Sequence, residues 1–251
     1  MKLSNFPGLT FAVSFVVLVL SVRAGEALIG TRIAVNRDRD KDDLNLVTTA
    51  SLTLLALIIG FSFTMAVNRY DLRKSYEEEE ANAIGTEYVR ADLLPPADGA
   101  KVQQLLKRYL DQRILFYTVR DPNRLDAVNR ETEELQSEMW SKVQAAAAAQ
   151  PNAPVALVVA GMNDVLNRQG YTQAAWWNRI PTGAWFLMSA LAICCCVLIG
   201  YNAHGTGFVL FSIFPFLLAI SFFLIADIDS PRRGVIRVAP QNLISLAQSL
   251  R

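Results

Sequence analysis

The sequence contains a single histidine, His204, and its three cysteines stand side by side as Cys194, Cys195 and Cys196. One imidazole leaves no His–Glu pair on a helix and no His-rich metal site. Contiguous cysteines have no zinc spacing and cannot pair with distant partners. They read as packing residues of an apolar run, with palmitoylation as a minor option. A glycine-rich phosphate loop and a nucleophile elbow are also missing. The four aspartates of 36–43 lack the turn glycine and the closing bidentate glutamate of a calcium loop. Charge of one sign is not in excess: 24 Lys and Arg face 23 Asp and Glu, for a net charge of +1. Nothing therefore suggests nucleic acid as a partner. Catalytic residues, metal ligands and cofactors are all expected to be none, and an enzyme is not expected.

What the sequence has is apolar sequence, segregated from charge. Of 251 residues, 52% are hydrophobic, and nearly all charges lie between the apolar runs, as lipid demands. Residues 8–22 are almost wholly apolar and allow two readings. One is a signal peptide closing on Val22-Arg23-Ala24. The other, adopted here, is a membrane helix over 8–33, with Arg23 and Glu26 three apart on one face, where they can pair. Residues 36–43 alternate in charge without an apolar residue and read as a solvated loop.

Residues 46–67 form a second span, and no proline separates them from the charged stretch 68–94. The two together predict one helix of about 75 Å, more than twice the ~30 Å hydrocarbon core. Small and hydroxyl residues recur on one face of the span at Thr49, Thr53, Ala56 and Gly60. Such a face permits close helix packing in lipid or lines a narrow pore. Beyond the span, Glu77–Glu80 place four carboxylates around one turn, read as solvated. Glu79, Asn82, Thr86 and Arg90 share a stripe that could be an intrasubunit polar network or the lining of an aqueous vestibule.

Pro95 and Pro96 end this helix. Apolar stripes at Val102, Leu105, Leu106, Tyr109, Leu110 and Tyr117, then at Leu125, Val128, Thr132, Leu135, Met139 and Val143, predict two more aqueous helices. After 155–160 an amphipathic helix leads back to the membrane, where Trp176, Trp177 and Arg179 read as an interfacial belt. Residues 182–201 and 206–226 are the third and fourth spans. The loop 202–205 carries His204 and no Lys or Arg. The tail after residue 234 offers Val235, Ile236, Val238, Leu243, Ile244 and Leu246 for docking.

The fold class is thus an all-α membrane protein with four transmembrane helices, the second continuing into a cytoplasmic helical domain. The expected organisation is 1–67 for the first two spans, 68–179 for the cytoplasmic helical domain, 180–226 for the last two spans and 227–251 for a cytoplasmic tail. The distribution of Lys and Arg places both termini in the cytoplasm, although the basic first loop would then sit outside.

The run Gly60-Phe61-Ser62-Phe63-Thr64-Met65-Ala66, then Arg69-Tyr70-Asp71, and then the stretch from Glu80 through Gly85-Thr86-Glu87-Tyr88 to Pro95 resembles the bacterial bestrophin-like family, also known as the DUF4239 domain. The exit from the last span, Asp227-Ile228-Asp229-Ser230-Pro231-Arg232-Arg233-Gly234, resembles it too. The resemblance implies a homo-oligomer, a pentamer by analogy with bestrophins, in the bilayer of a bacterial inner membrane. It also implies conduction of inorganic ions, with anions as the family's expected charge. In bestrophins the second membrane helix lines a pore narrowed by apolar and aromatic side chains.

Transferred to this chain, the pore-lining candidates are Thr49, Thr53, Ala56, Gly60 and Phe63. The vestibule candidates are Glu79, Asn82, Thr86 and Arg90. Phe61 and Phe63 differ by about 200° around a helix. Phe63 shares the small-residue face and is the candidate gate, and Phe61 is expected to pack. The acidic calcium clasp of animal bestrophins has no counterpart. The competing reading is a membrane-anchored helical scaffold that binds a cytoplasmic partner without conductance.

Overall fold

The computed structural model describes residues 6–29, 37–202 and 208–251. They form eight helices: α1 (Pro7–Ile29), α2 (Arg37–Arg90), α3 (Pro96–Thr118), α4 (Pro122–Ala149), α5 (Ala153–Trp177), α6 (Thr182–Asn202), α7 (Phe208–Asp229) and α8 (Gln241–Ser249). No strand occurs among the described residues. Among the described residues, four helical stretches are long and apolar enough to cross a membrane, within α1, α2, α6 and α7. Residues 203–207, with His204, lie outside the described residues.

α2 is one unbroken helix of 54 residues, about 80 Å at 1.5 Å per residue. It passes without interruption from apolar to charged sequence, as the absence of proline predicts. It also begins earlier than expected, at Arg37, inside the charged run read as a loop. That run holds neither Gly nor Pro. Arg and Lys are good helix formers, and aspartates near a helix start complement its dipole. Alternating charge argues against a buried segment, and a polar segment can still be helical. α2 ends at Arg90 and gives way to a 3-10 turn, Ala91–Leu93, ahead of the two prolines.

The chain divides into two compact units, Met1–Arg69 with Arg179–Arg237, and Tyr70–Asn178 with Val238–Arg251. In the first, α1 packs against α6 and α7. A side-chain carbon on Gly25 would strike the Val197 carbonyl oxygen, and one on Gly200 would strike the Val22 carbonyl oxygen. Glycine thus lets the two helix backbones touch, the contact that apolar solvent favours because it rests on van der Waals packing. Phe11 and Phe15 meet Phe216 of α7 edge to face, with ring centres 6.0 Å apart. Arg23 and Glu26 form the expected pair at 2.8 Å. Cys195 and Cys196 are buried, Cys194 is exposed, and all three are free thiols.

The second unit is a helical bundle with its own apolar core. α3 starts on Pro96 at its first turn. α4 is capped by Asp121, which accepts the Arg124 N–H at 2.8 Å, and α5 by Asn152, which accepts the Val155 N–H at 2.9 Å. The predicted stripes are its core: Val102, Leu105, Leu106, Tyr109 and Leu110 from α3, and Val128, Leu135, Met139 and Val143 from α4. α5 adds Val155, Val158, Met162 and Val165, and the facing part of α2 adds Ala81 and Ile84. Each fully buried large aliphatic side chain contributes about 1.5–3 kcal/mol of transfer free energy. Trp176 belongs to this core too, 4.9 Å from the ring of Phe116 and 5.3 Å from that of Tyr117. The expectation of an interfacial Trp176 is therefore corrected, while its neighbour Trp177 is 73% exposed. Of the tail residues offered for docking, Val238 and Leu243 are buried and Leu246 packs on the core, whereas Val235, Ile236 and Ile244 are exposed.

Candidate functional site: the two stretches of the second helix

Within its apolar stretch, α2 packs on its own unit through Thr48, Leu55, Ser62 and Ala66, all buried. These four positions fall within about 40° of one another on a helix. Every pore-lining candidate lies off that face: Thr49, Thr53, Ala56, Gly60 and Phe63 are all exposed. Ala56, Gly60 and Phe63 line one wall of an apolar groove of about 690 Å³. Phe214, Leu218 and Ser221 of α7 line the other wall. Thr53 donates its hydroxyl to the Thr49 carbonyl at 2.9 Å, and Thr64 donates to the Gly60 carbonyl at 3.0 Å. Satisfied in this way, hydroxyls can face an apolar or a wet surface without penalty. Phe61 is 60% exposed and Phe63 38%. The packing role expected of Phe61 is therefore not met within this chain. Its position points away from Leu55 and Ser62, which hold the helix to its unit.

In the aqueous stretch, the vestibule candidates separate. Asn82 and Thr86 are exposed, whereas Glu79 and Arg90 are half-buried. Glu79 is ion-paired with Arg168 of α5 and accepts a 3.4 Å hydrogen bond from Ser75. Arg90 stands beside Glu87, with both side chains packed over Gly161 of α5. The stripe is therefore bound to α5 at its ends and open in its middle.

The more consequential face of α2 is its buried one. The carboxylates of 77–80 are not a solvated turn: Glu78 is exposed and Glu79 half-buried, but Glu77 and Glu80 are fully buried. Glu80 is ion-paired with Arg113 of α3, itself fully buried, and accepts the Thr172 hydroxyl of α5 at 3.1 Å. Arg113 also lies over the Phe116 ring, 4.4 Å from its centre. Burial works against the Arg113 charge, yet Glu80 and Tyr109 outweigh it and leave its pKa raised. Glu77 accepts the Leu243 N–H at 3.0 Å and the Asn242 side-chain amide at 2.7 Å. α8 begins after Pro240, which supplies no capping side chain. A carboxylate from α2 thus caps α8 from outside. Arg73, buried one turn earlier, donates to the Ala175 carbonyl at 3.3 Å.

Glu87 differs from these. It is fully buried, and neither carboxylate oxygen has a hydrogen-bond partner among the described residues. Burial raises its pKa to about 8, opposed by the Arg90 charge and assisted by that of Asp164. At neutral pH the protonated acid is its main form. The signal for this face was a spacing. Positions 73, 77, 80, 84, 87 and 91 alternate four and three apart, the interval of a helix seam. Ile84 and Ala91 are its apolar members, and polar residues hold the rest. Charge concealed the seam, because Glu and Arg are rarely buried unless paired.

The polar groups here tie helices to one another. The described residues contain no cluster of three His, Cys, Asp or Glu able to hold a metal ion.

The Bestrophin-like domain family matches residues 15–243 of the chain. No curated protein matches it. Among solved structures, two crystal structures of point-mutated forms of a bacterial bestrophin homologue from Klebsiella pneumoniae share the fold. One has a TM-score of 0.67 at 11% identity, with 96% of each chain covered. The other has a TM-score of 0.65 at 11% identity, with 97% of each chain covered. A crystal structure of a mutated membrane protein matches at a TM-score of 0.62 and 12% identity, again with 96% of each chain covered.

Proposed function

Since the chain belongs to the Bestrophin-like family, we propose that it is the subunit of a homo-oligomeric ion channel with its pore lined by the apolar stretch of α2. The observation that carries this reading is the uncovered face of that stretch. Thr49, Thr53, Ala56, Gly60 and Phe63 are exposed on a helix whose own-chain packing uses other residues. Several copies arranged around an axis would bury such a face or wet it, and small and hydroxyl side chains tolerate both. Asn82 and Thr86, with the partly engaged Glu79 and Arg90, are proposed to line the vestibule on the aqueous stretch. The assembly is proposed to be a pentamer in a bacterial inner membrane, with both termini in the cytoplasm and no catalytic step. Anions are the proposed permeant charge. The burial of Glu77 and Glu80 supports this, because it removes two of the four carboxylates of that turn from any aqueous lining.

The test is flux through purified protein in liposomes, beside a mass measurement in detergent. An oligomer that passes chloride, with a reversal potential in asymmetric salt near that of chloride, is expected. A monomer without flux overturns the channel. A cation-selective current overturns only the ion's sign. Stoichiometric capture of one soluble partner by a non-conducting protein would favour the scaffold.

A further inference from the structure

Three span ends meet on one side of the first unit. Arg179, just ahead of α6, donates to the Asp229 carbonyl at the end of α7 at 2.7 Å. The Asp229 carboxylate accepts the Ile180 N–H at 3.2 and 3.3 Å. Arg233 stacks over Phe6, the residue before α1, with its guanidinium carbon 4.2 Å from the ring centre. Between them the chain turns back: the carboxylate of Asp227, in the last turn of α7, accepts the Val235 N–H at 2.7 Å and the Ile236 N–H at 2.8 Å. The loop 230–237 is thereby fixed at the level of a span's last turn instead of leading directly away into water. A residue bonded to that turn lies at the depth of the bilayer interface.

At that depth Val235 is 80% exposed, Ile236 is exposed beside it, and the exposed Arg233 and Arg237 flank them. The nearby carboxylates of Asp227 and Asp229 are buried and occupied by backbone N–H groups. Their buried position leaves the outer surface of the loop basic. An apolar tip between guanidinium groups fits one chemistry: a lipid whose phosphate takes the arginines and whose glycerol and acyl region takes the valine. We propose that loop 230–237 is a docking surface for anionic phospholipid headgroups, with Arg233 and Arg237 on the phosphate and Val235 seated between headgroups. The proposal rests on the assignment of the spans and is independent of conduction.

Native mass spectrometry of the full-length protein, titrated with phosphatidylglycerol or phosphatidylcholine, tests it. Phosphatidylglycerol should be retained in preference to phosphatidylcholine. R233Q/R237Q should weaken its retention about twenty-five-fold, about fivefold per arginine, and V235S should weaken both lipids. Equal retention of the two lipids by the unmodified protein, or unchanged phosphatidylglycerol binding in R233Q/R237Q, overturns the proposal. Displacement of the lipid by an equal concentration of inorganic phosphate would make this a phosphate site, and also overturns it. If loss of the Phe6 contact unfolds the double variant, as a melting curve would show, R237Q alone decides, with the fivefold weakening expected.

Discussion

Glu87 makes the pH behaviour of this protein a local matter. Its carboxyl is buried against Gly161 with Arg90 and Asp164 as its charged neighbours, and its pKa stands at about 8 against an ordinary 4.5. Between those values the folded chain holds a proton that the unfolded chain has released. Its contribution to stability is complete below the unfolded value, falls as pH rises, and is lost once pH passes about 8. The ideal slope for one proton is about 1.4 kcal/mol per pH unit in that window. Glu87→Gln should keep the neutral shape and abolish the slope. Its melting temperature should stay flat from pH 5 to 9 where the unmodified protein declines. A parallel decline in both proteins would remove Glu87 as the cause. Gly161→Ala should displace the ends of the Glu87 and Arg90 side chains, because its methyl group would land on them.

α2 acts as the common support of the aqueous helices through charged residues. Glu80 reaches α3 and α5, Glu77 reaches α8, and Arg73 reaches α5. Arg113→Met should cost about 3–5 kcal/mol, because the Glu80 carboxylate stays buried with its counter-charge gone. Replacing Glu80 by Gln in the same chain should recover part of that loss, as denaturant titration of the purified protein would show. Glu77→Ala removes the cap that Pro240 cannot provide, a loss of about 1 kcal/mol for an ordinary cap. The expected signature is faster amide exchange confined to α8, with protection in α3 and α4 unchanged. Faster exchange throughout the unit would instead make Glu77 a core residue and not a cap.

For the whole molecule, the two aromatics of the apolar stretch of α2 decide how copies would be arranged. Phe61 points further than Phe63 from the face that α2 packs on its own chain, and Phe63 faces the groove beside α7. If Phe63 narrows the pore, Phe63→Ala should raise single-channel conductance with little change in melting temperature. Phe61→Ala should then leave conductance unchanged and weaken only the contact between copies. The opposite pair of results would place Phe61 on the axis and turn α2 by about 200° in the assembly. Single-channel recording of both variants, with the oligomer's mass measured alongside, separates the two arrangements.

The sequence by itself determined the helices. Four long apolar stretches, a helix without proline running from apolar into charged residues, stripes on α3 and α4 and paired prolines at the breaks are all local properties. Each can be read from residues within a few helical turns of one another. The residues that carry the family resemblance are local too, and the family is the one whose model matches the chain. Only the tertiary structure decided facing. Four successive glutamates cannot announce which two will be buried, because that depends on an arginine and a threonine, Arg113 and Thr172, 33 and 92 residues away from Glu80. Trp176 and Trp177 are identical side chains one position apart, and a rotation of about 100° puts one in the core and the other outside. An apolar or charged residue states its cost of burial. Which neighbour offsets that cost is settled by the helices that pack against it.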